Sequence, residues 1–516
     1  MMSASWCADF DGSNTLLSLT EPSAAQRTED DDEHDTANVD DSHREPRSSR
    51  QNDPKTQTAD DPSTTSLTAV NGNPFASPLM EIFNLPTALT DHFFGEVITL
   101  YCCWDSKSNV MRGIVEKMWQ SSGALYHTIQ SMAAACLSEN FPHMALVARK
   151  EHGQAVEYIR SEFPSSTNKE DLLLAHMLLG HTSSWLDPQD LATDAFRSSW
   201  SMLTKMEGSV HEKSISFFKD TMDYWAMLLV FLTDTQQLGD YRRGTWFGPT
   251  EPVQMIEPHP YSGVSRETVN MLTETGTLIF KYRKHMSKVK FLTEIDLDLF
   301  REALREARRL ERNFIAYVPS ELSQIKDPGD PNTPPRHLQL IDEAYRCTGL
   351  LQLYRVFPDL LNERYAPWDK THILRTPAAT KVPTAQERQV WLTNLALHVL
   401  DILKGIPFES RTRSVQPFIM VAVSSELGHD MHHVQSLHCD QRGECETQGG
   451  ADQIRVACAR KFVSSRLAAY THILPVRKTR VIFELLSSVW TALDNGERDV
   501  YWLDKAAEQN LGTMMG

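Results

Sequence analysis

Two carboxylate spacings near the start of the chain have the form of a magnesium site. Asp31-Asp32-Glu33-His34-Asp35 reads D-D-x-x-D, and Asn52 to Asp60 reads N-D-x-x-[ST]-x-x-x-[DE]. Such carboxylates grip Mg²⁺ against a diphosphate only when rigid facing helices hold them over an apolar cavity. From Gln26 to Ser66 only Ala37, Val39 and Ala59 are hydrophobic, and Pro54 would break a helix inside the second match. Both are therefore read as parts of an acidic tail. A second set, His429, His432, His433, His438, Cys439, Cys445 and Cys458, offers Zn²⁺ ligands. It lacks the C-x2-C or H-x3-H chelate, and the polar stretch Asp440 to Gln453 favours a solvated insertion loop.

The adjacent Cys102 and Cys103 sit beside Trp104 on an apolar segment without a basic neighbour to lower their pKa, so core thiols are expected. Lys281, Arg283, Lys284, Lys288 and Lys290 form the densest basic run, and Arg477, Lys478 and Arg480 a smaller one. Both are expected to be solvated helix faces, with nuclear import or an acidic partner as the alternative. No phosphate-cradling loop, dinucleotide turn, nucleophile elbow or metalloprotease helix motif occurs. No catalytic, cofactor-binding or metal-binding residue is assigned, and no cofactor is expected.

The elements that would position such groups are helical. Leu125, Ile129, Met132, Ala133, Cys136 and Leu137 recur at intervals of 3 and 4, as do Leu340, Ala344, Cys347, Leu351, Tyr354 and Leu361 with small departures. Thr167-x-x-Glu170 and Thr384-x-x-Glu387 have the form of capping boxes, and Ser77-Pro78 reads as a helix start. Among the helices expected are 87–104, 213–235, 337–363, 413–430, 453–470 and 499–510. No segment alternates with period two between hairpin turns, so the fold class is all-α: a multi-helix body over 76–516 following a disordered acidic tail over 1–75.

The 516 residues carry a net charge of −17, of which residues 1–75 supply −10, from 15 acidic and 5 basic side chains. Trp6, Phe10, Leu16, Leu17 and Leu19, set among Asp9, Asp11 and Glu21, have the acidic and hydrophobic mixture of activation segments, beside the simpler reading of a tail with a few apolar residues. A chain so acidic has no compositional support for gripping phosphate directly. Eight scattered cysteines, no Asn-x-Ser/Thr acceptor and no apolar leader at the start point to a reducing compartment inside the cell. The longest apolar run, Trp225 to Leu232, is far too short for a membrane span.

The two carboxylate spacings resemble the magnesium motifs of terpene cyclases, an enzyme reading that is the least supported because the segment around them is so polar. A longer resemblance runs through the helical part. Ser122 to Cys136 resembles the first conserved helix of the fungus-specific transcription-factor domain, His143 to Ile159 and Asp171 to Trp185 its next two, and Ala195-Phe196-Arg197 with Leu203 the one after. Tyr261 to Ser265 resembles its Gly-Val/Leu-Ser segment, Glu343 to Arg346 through Leu353 to Arg355 its Glu-Ala-Tyr-Arg and Leu-Tyr helix, and Gln416 to Ala422 its Phe-Pro-Leu-Phe-Ile-Ala-Gly segment. Leu486 to Leu503, with Trp490, Asp494, Gly496 and Trp502, resembles its C-terminal ending, so about residues 80 to 510 are covered.

The resemblance implies the regulatory region of a zinc-cluster transcription factor, located in the nucleus. Members carry a binuclear cluster of the form C-x2-C-x6-C, spacer, C-x2-C-x6-8-C, whereas here only Cys7 precedes the helices and no C-x2-C occurs. DNA contact is therefore expected through a partner or through an N-terminal cluster outside this chain. Expected partners are other transcription regulators or a homodimer. Some relatives bind a small apolar effector between their helices, which implies such a pocket here. A helical cofactor or sequestering partner that does not bind DNA is the alternative.

Overall fold

The computed structural model describes residues 84–165, 169–206, 208, 212–242, 255–370, 373–374, 381–428, 447–471 and 473–516. The expected tail over 1–75, the Ser77 cap, the Thr167 half of one capping box and the stretch from His429 to Cys445 lie outside them. Within the described residues the fold is all-α, with two isolated backbone bridges, Ile256 to Ile325 and His259 to Gly263, as its only extended pairings.

Helix α1 (Leu85–His92) begins with Pro86 in its first turn, where the missing N–H loses no helical bond. A π turn over Phe93–Val97 leads into α2 (Ile98–Tyr101). The regular helix expected over 87–104 thus ends early: Cys102 is already extended, at φ −107° and ψ 150°. Distant groups draw the backbone out of the helix. The Cys103 N–H donates to the Pro260 carbonyl at 2.8 Å, and the Trp104 indole to the His259 carbonyl at 3.0 Å.

Next come α3 (Val110–Met118), α4 (Gly123–Leu137), α5 (Met144–Glu162), α6 (Glu170–Leu186), α7 (Thr193–Met206) and α8 (Glu212–Val230). The apolar run that predicts α4 is buried at Leu125, Ile129, Met132 and Ala133, and its alanines let α5 lie close along it. Where α8 meets α6 the fit is tighter. A Cβ on Gly180 would stand 2.3 Å from the ring of Trp225. The helix expected over 213–235 stops at Val230, and a 3₁₀ turn covers Thr235–Leu238.

The second half is built on α9 (Arg266–Met286), α10 (Glu294–Ala316), α11 (Pro335–Val356), α12 (Pro358–Arg364) and α13 (Ala385–Lys404). The single helix expected over 337–363 is two helices, because Pro358 has no N–H to donate and excludes the helical conformation from Phe357, which sits at φ −123° and ψ 77°. The predicted Thr384 box is present: Thr384 Oγ1 accepts from the Glu387 N–H at 3.2 Å, and Glu387 accepts from the Thr384 N–H at 2.8 Å. A further box, Thr293 with Asp296, opens α10. It escapes the S/T-x-x-E/Q pattern because Asp replaces the longer acid.

The chain closes with α14 (Gln416–Ala422), α15 (Thr447–Tyr470), α16 (Val476–Asp494) and α17 (Trp502–Glu508). Of the helix expected over 413–430, the described residues form only α14 and flanking 3₁₀ turns, whereas the one expected over 453–470 starts earlier, at Thr447. One continuous apolar cluster reaches from Leu89 to Met515, so the packing does not divide among separate cores. No helix of the described residues is long and apolar enough to cross a membrane.

Candidate functional site

Among the residues singled out by type and spacing, Cys102 and Cys103 are fully enclosed, and burial pushes both thiols up. The Cys102 Sγ lies 3.9 Å from the Met111 Sδ, and Cys103 faces the His259 carbonyl at 3.5 Å, so both are wall rather than nucleophile. Cys458 is exposed on α15, while its suggested companions from His429 to Cys445 lie outside the described residues. Among the described residues, no three His, Cys, Asp or Glu side chains come together as a metal site.

The basic run at the end of α9 lines an open groove of about 870 Å³ between α9, α10 and the Thr235–Leu238 turn. Lys281, Lys284 and Lys288 face it, but so do Glu274, Glu302 and Glu306, and Lys284 pairs with Asp234 at 2.6 Å. Its charge is mixed and largely solvated.

The smaller basic run departs from its expected solvated face. Arg477 and Arg480 are exposed, but Lys478 is 3% exposed. The spacing contains the signal: Lys478, Ile482, Leu485, Leu486 and Val489 share the apolar stripe of α16, so a helical projection puts the lysine inward. Its Nζ donates to the backbone oxygen of Gly516 at 3.0 Å, and burial lowers its pKa to about 8.

Lys478 borders a chamber at the centre of the body. The turn of Tyr261, Ser262 and Gly263, closed by reciprocal bonds between His259 and Gly263 at 2.7 and 2.9 Å, carries Tyr261 into the core. Gly263 has φ +59°, with Leu338 and Cys103 against it, so another residue there would be strained. Tyr101 from α2 meets Tyr261 edge-on at 5.1 Å between centroids, and Tyr224 from α8 stacks over it at 6.4 Å. His181 from α6 stands against Trp225 at 4.3 Å. Burial, reinforced by the Lys478 charge, depresses His181 to about 3, so its ring is neutral. The Tyr101 hydroxyl and His181 Nδ1 are hydrogen-bonded, and His181 Nε2 has no partner.

No pattern in the sequence joins Tyr101, His181, Tyr224, Tyr261, Ser414 and Lys478. They come from six separate segments, and no local spacing relates one to another. The family model of the fungal specific transcription factor domain matches residues 88–516. No curated protein and no solved structure matches the chain.

Proposed function

Because the chain belongs to the fungal specific transcription factor domain family, we propose that it is a nuclear regulator of the zinc-cluster class that controls a metabolic or secondary-metabolite pathway through its helical body. The observation that carries this reading is the family match itself, which runs over 88–516 and so takes in nearly the whole helical part. It acts by binding rather than catalysis. The central chamber supports an effector-sensing role, since its polar groups are held in a largely apolar interior with no pair of acids or activated nucleophile beside them.

The charge of −17 supports an indirect hold on DNA, through a partner regulator or through a zinc cluster encoded outside these 516 residues. The partner is another regulator or a second copy of the chain. Chromatin immunoprecipitation, paired with a direct binding assay on the purified 516-residue chain, tests this. The expected result is promoter occupancy in cells without direct binding in solution. Direct, sequence-specific binding would overturn the partnered mechanism, and exclusion from the nucleus would overturn the regulatory reading.

A further inference from the structure

The connection between α9 and α10 is braced from both sides. The Asp296 carboxylate that completes the cap of α10 also pairs with His285 on α9 at 2.7 Å, so the turn over 287–292 is tied to both helices. Phe291 stands out from this turn at 88% exposure, and Ile295 and Leu299, 71% and 37% exposed, follow it at intervals of four. Leu292 and Leu297 occupy the positions of a hydrophobic staple across the cap, which gives that pair a local role. Phe291, Ile295 and Leu299 have no such role. One aromatic and two aliphatic side chains left in water together form a patch on the order of several hundred Å², the size at which an apolar patch on a folded chain marks an interaction site.

The charges around the patch have an order. Lys288 and Lys290 precede Phe291, while Asp298 and Glu302 share the face of α10 that carries Ile295 and Leu299, and all four charged side chains are exposed. Asp298 pairs with the exposed Arg301 at 2.8 Å, whereas among the described residues Lys288, Lys290 and Glu302 enter no ion pair. A face that is positive at one end, apolar in the middle and negative at the other is complementary to itself when reversed. Turned about a two-fold axis at Ile295, Phe291 of each copy comes opposite Leu299 of the other and Lys288 opposite Glu302, because the members of each pair are equally far from residue 295 in the chain. Lys288, Leu299 and Glu302 also line the open groove between α9 and α10, so the protruding Phe291 ring has a recess to enter. The mixed sign speaks against a lipid surface, since Glu294, Asp298 and Glu302 would meet anionic headgroups beside the two lysines.

We propose that the first turns of α10, with the turn that precedes them, form an isologous interface between two copies of this chain. Phe291 is the anchor, seated against Leu299 and the mouth of the groove of the second copy, and Ile295 packs on its own mate at the axis. The two rim pairs of Lys288 with Glu302 fix the antiparallel direction. The proposal selects the second copy as the partner within the regulatory reading above, and rests on that reading for its purpose.

Sedimentation velocity of the 516-residue chain across the micromolar range tests it, and a concentration-dependent dimer is expected. Ile295→Glu puts two carboxylates at the axis yet suits the first turn of a helix, so it should weaken the dimer at least about tenfold while helical content and thermal midpoint stay unchanged. Lys288→Glu and Glu302→Lys each set like charges opposite one another in both rim pairs, and each should dimerise about tenfold more weakly at low salt. Mixed together, these two variants should pair with each other about as well as the parent pairs with itself, because the exchange of sign restores both contacts. A parent that stays monomeric, a dimer that Ile295→Glu leaves intact, or charge variants that pair no better mixed than alone each overturn the proposal. So does a monomeric parent that binds phosphatidylcholine and phosphatidylserine vesicles through Phe291, which would make the face a lipid-binding one. A monomer that still occupies promoters would remove the interface and leave the regulatory reading standing, and a dimer excluded from the nucleus would do the reverse.

Discussion

Asp342 is wholly enclosed on α11, where one carboxylate oxygen accepts from Thr268 Oγ1 and the other from the Tyr317 hydroxyl, both at 2.7 Å. Two donors favour the anion, yet burial outweighs them and raises its pKa to about 7. An unfolded aspartate titrates near 4. Between about pH 4 and pH 7 the folded chain therefore holds a proton that the unfolded chain has lost, and stability falls as pH rises, by up to about 1.4 kcal/mol per pH unit. Below and above that window the contribution is flat. Asp342→Asn removes the titration, so the stability advantage of the parent over the variant should shrink from pH 4 to pH 7 in urea unfolding. A constant difference across that range would refute the assignment. Lys478 carries a comparable lesson. Its type suggests solvent, its register points inward, and the register prevails because its helix has only one apolar face to bury.

Helices start and stop here by local chemistry wherever the relevant groups are neighbours in sequence. Asn109 begins α3 with its Oδ1 accepting from the Arg112 N–H at 3.2 Å, while its Nδ2 donates to the Trp104 carbonyl at 3.0 Å. One side chain thus caps a helix and ties down the extended residues before it. Asn109→Ala should lower stability by about 1–2 kcal/mol, more than an exposed cap, because the Trp104 carbonyl is also left unpaired. Thermal unfolding with circular dichroism measures this, and Asn109→Asp, which keeps the cap but not the second bond, should fall between. The Thr384 box and the break at Pro358 belong to the same class, since both follow from residues within one turn. The early end of α2 does not, because its causes, His259 and Pro260, lie more than 150 residues away.

Across the whole molecule, α11, α14 and the start of α17 are joined through Gln352. Its Oε1 accepts from the Tyr501 hydroxyl at 2.7 Å and from the Trp502 indole at 3.0 Å, and its Nε2 donates to the Ala422 carbonyl at 2.8 Å. Gln352→Leu leaves three polar groups enclosed without partners, and at about 1–3 kcal/mol each the loss should reach at least about 3 kcal/mol. Scanning calorimetry should show one transition moved down rather than split; a new low-temperature transition would mean that the C-terminal helices unfold on their own. Residue types and their periods determined the all-α class and most helix positions, because an amphipathic helix and its caps depend on groups three or four residues apart. Tertiary structure alone decided that Tyr101, His181, Tyr224, Tyr261 and Ser414 meet around Lys478, and that the last residues lie among them. That outcome depends on which apolar faces pack together, and contacts between residues hundreds of positions apart leave no period in the chain.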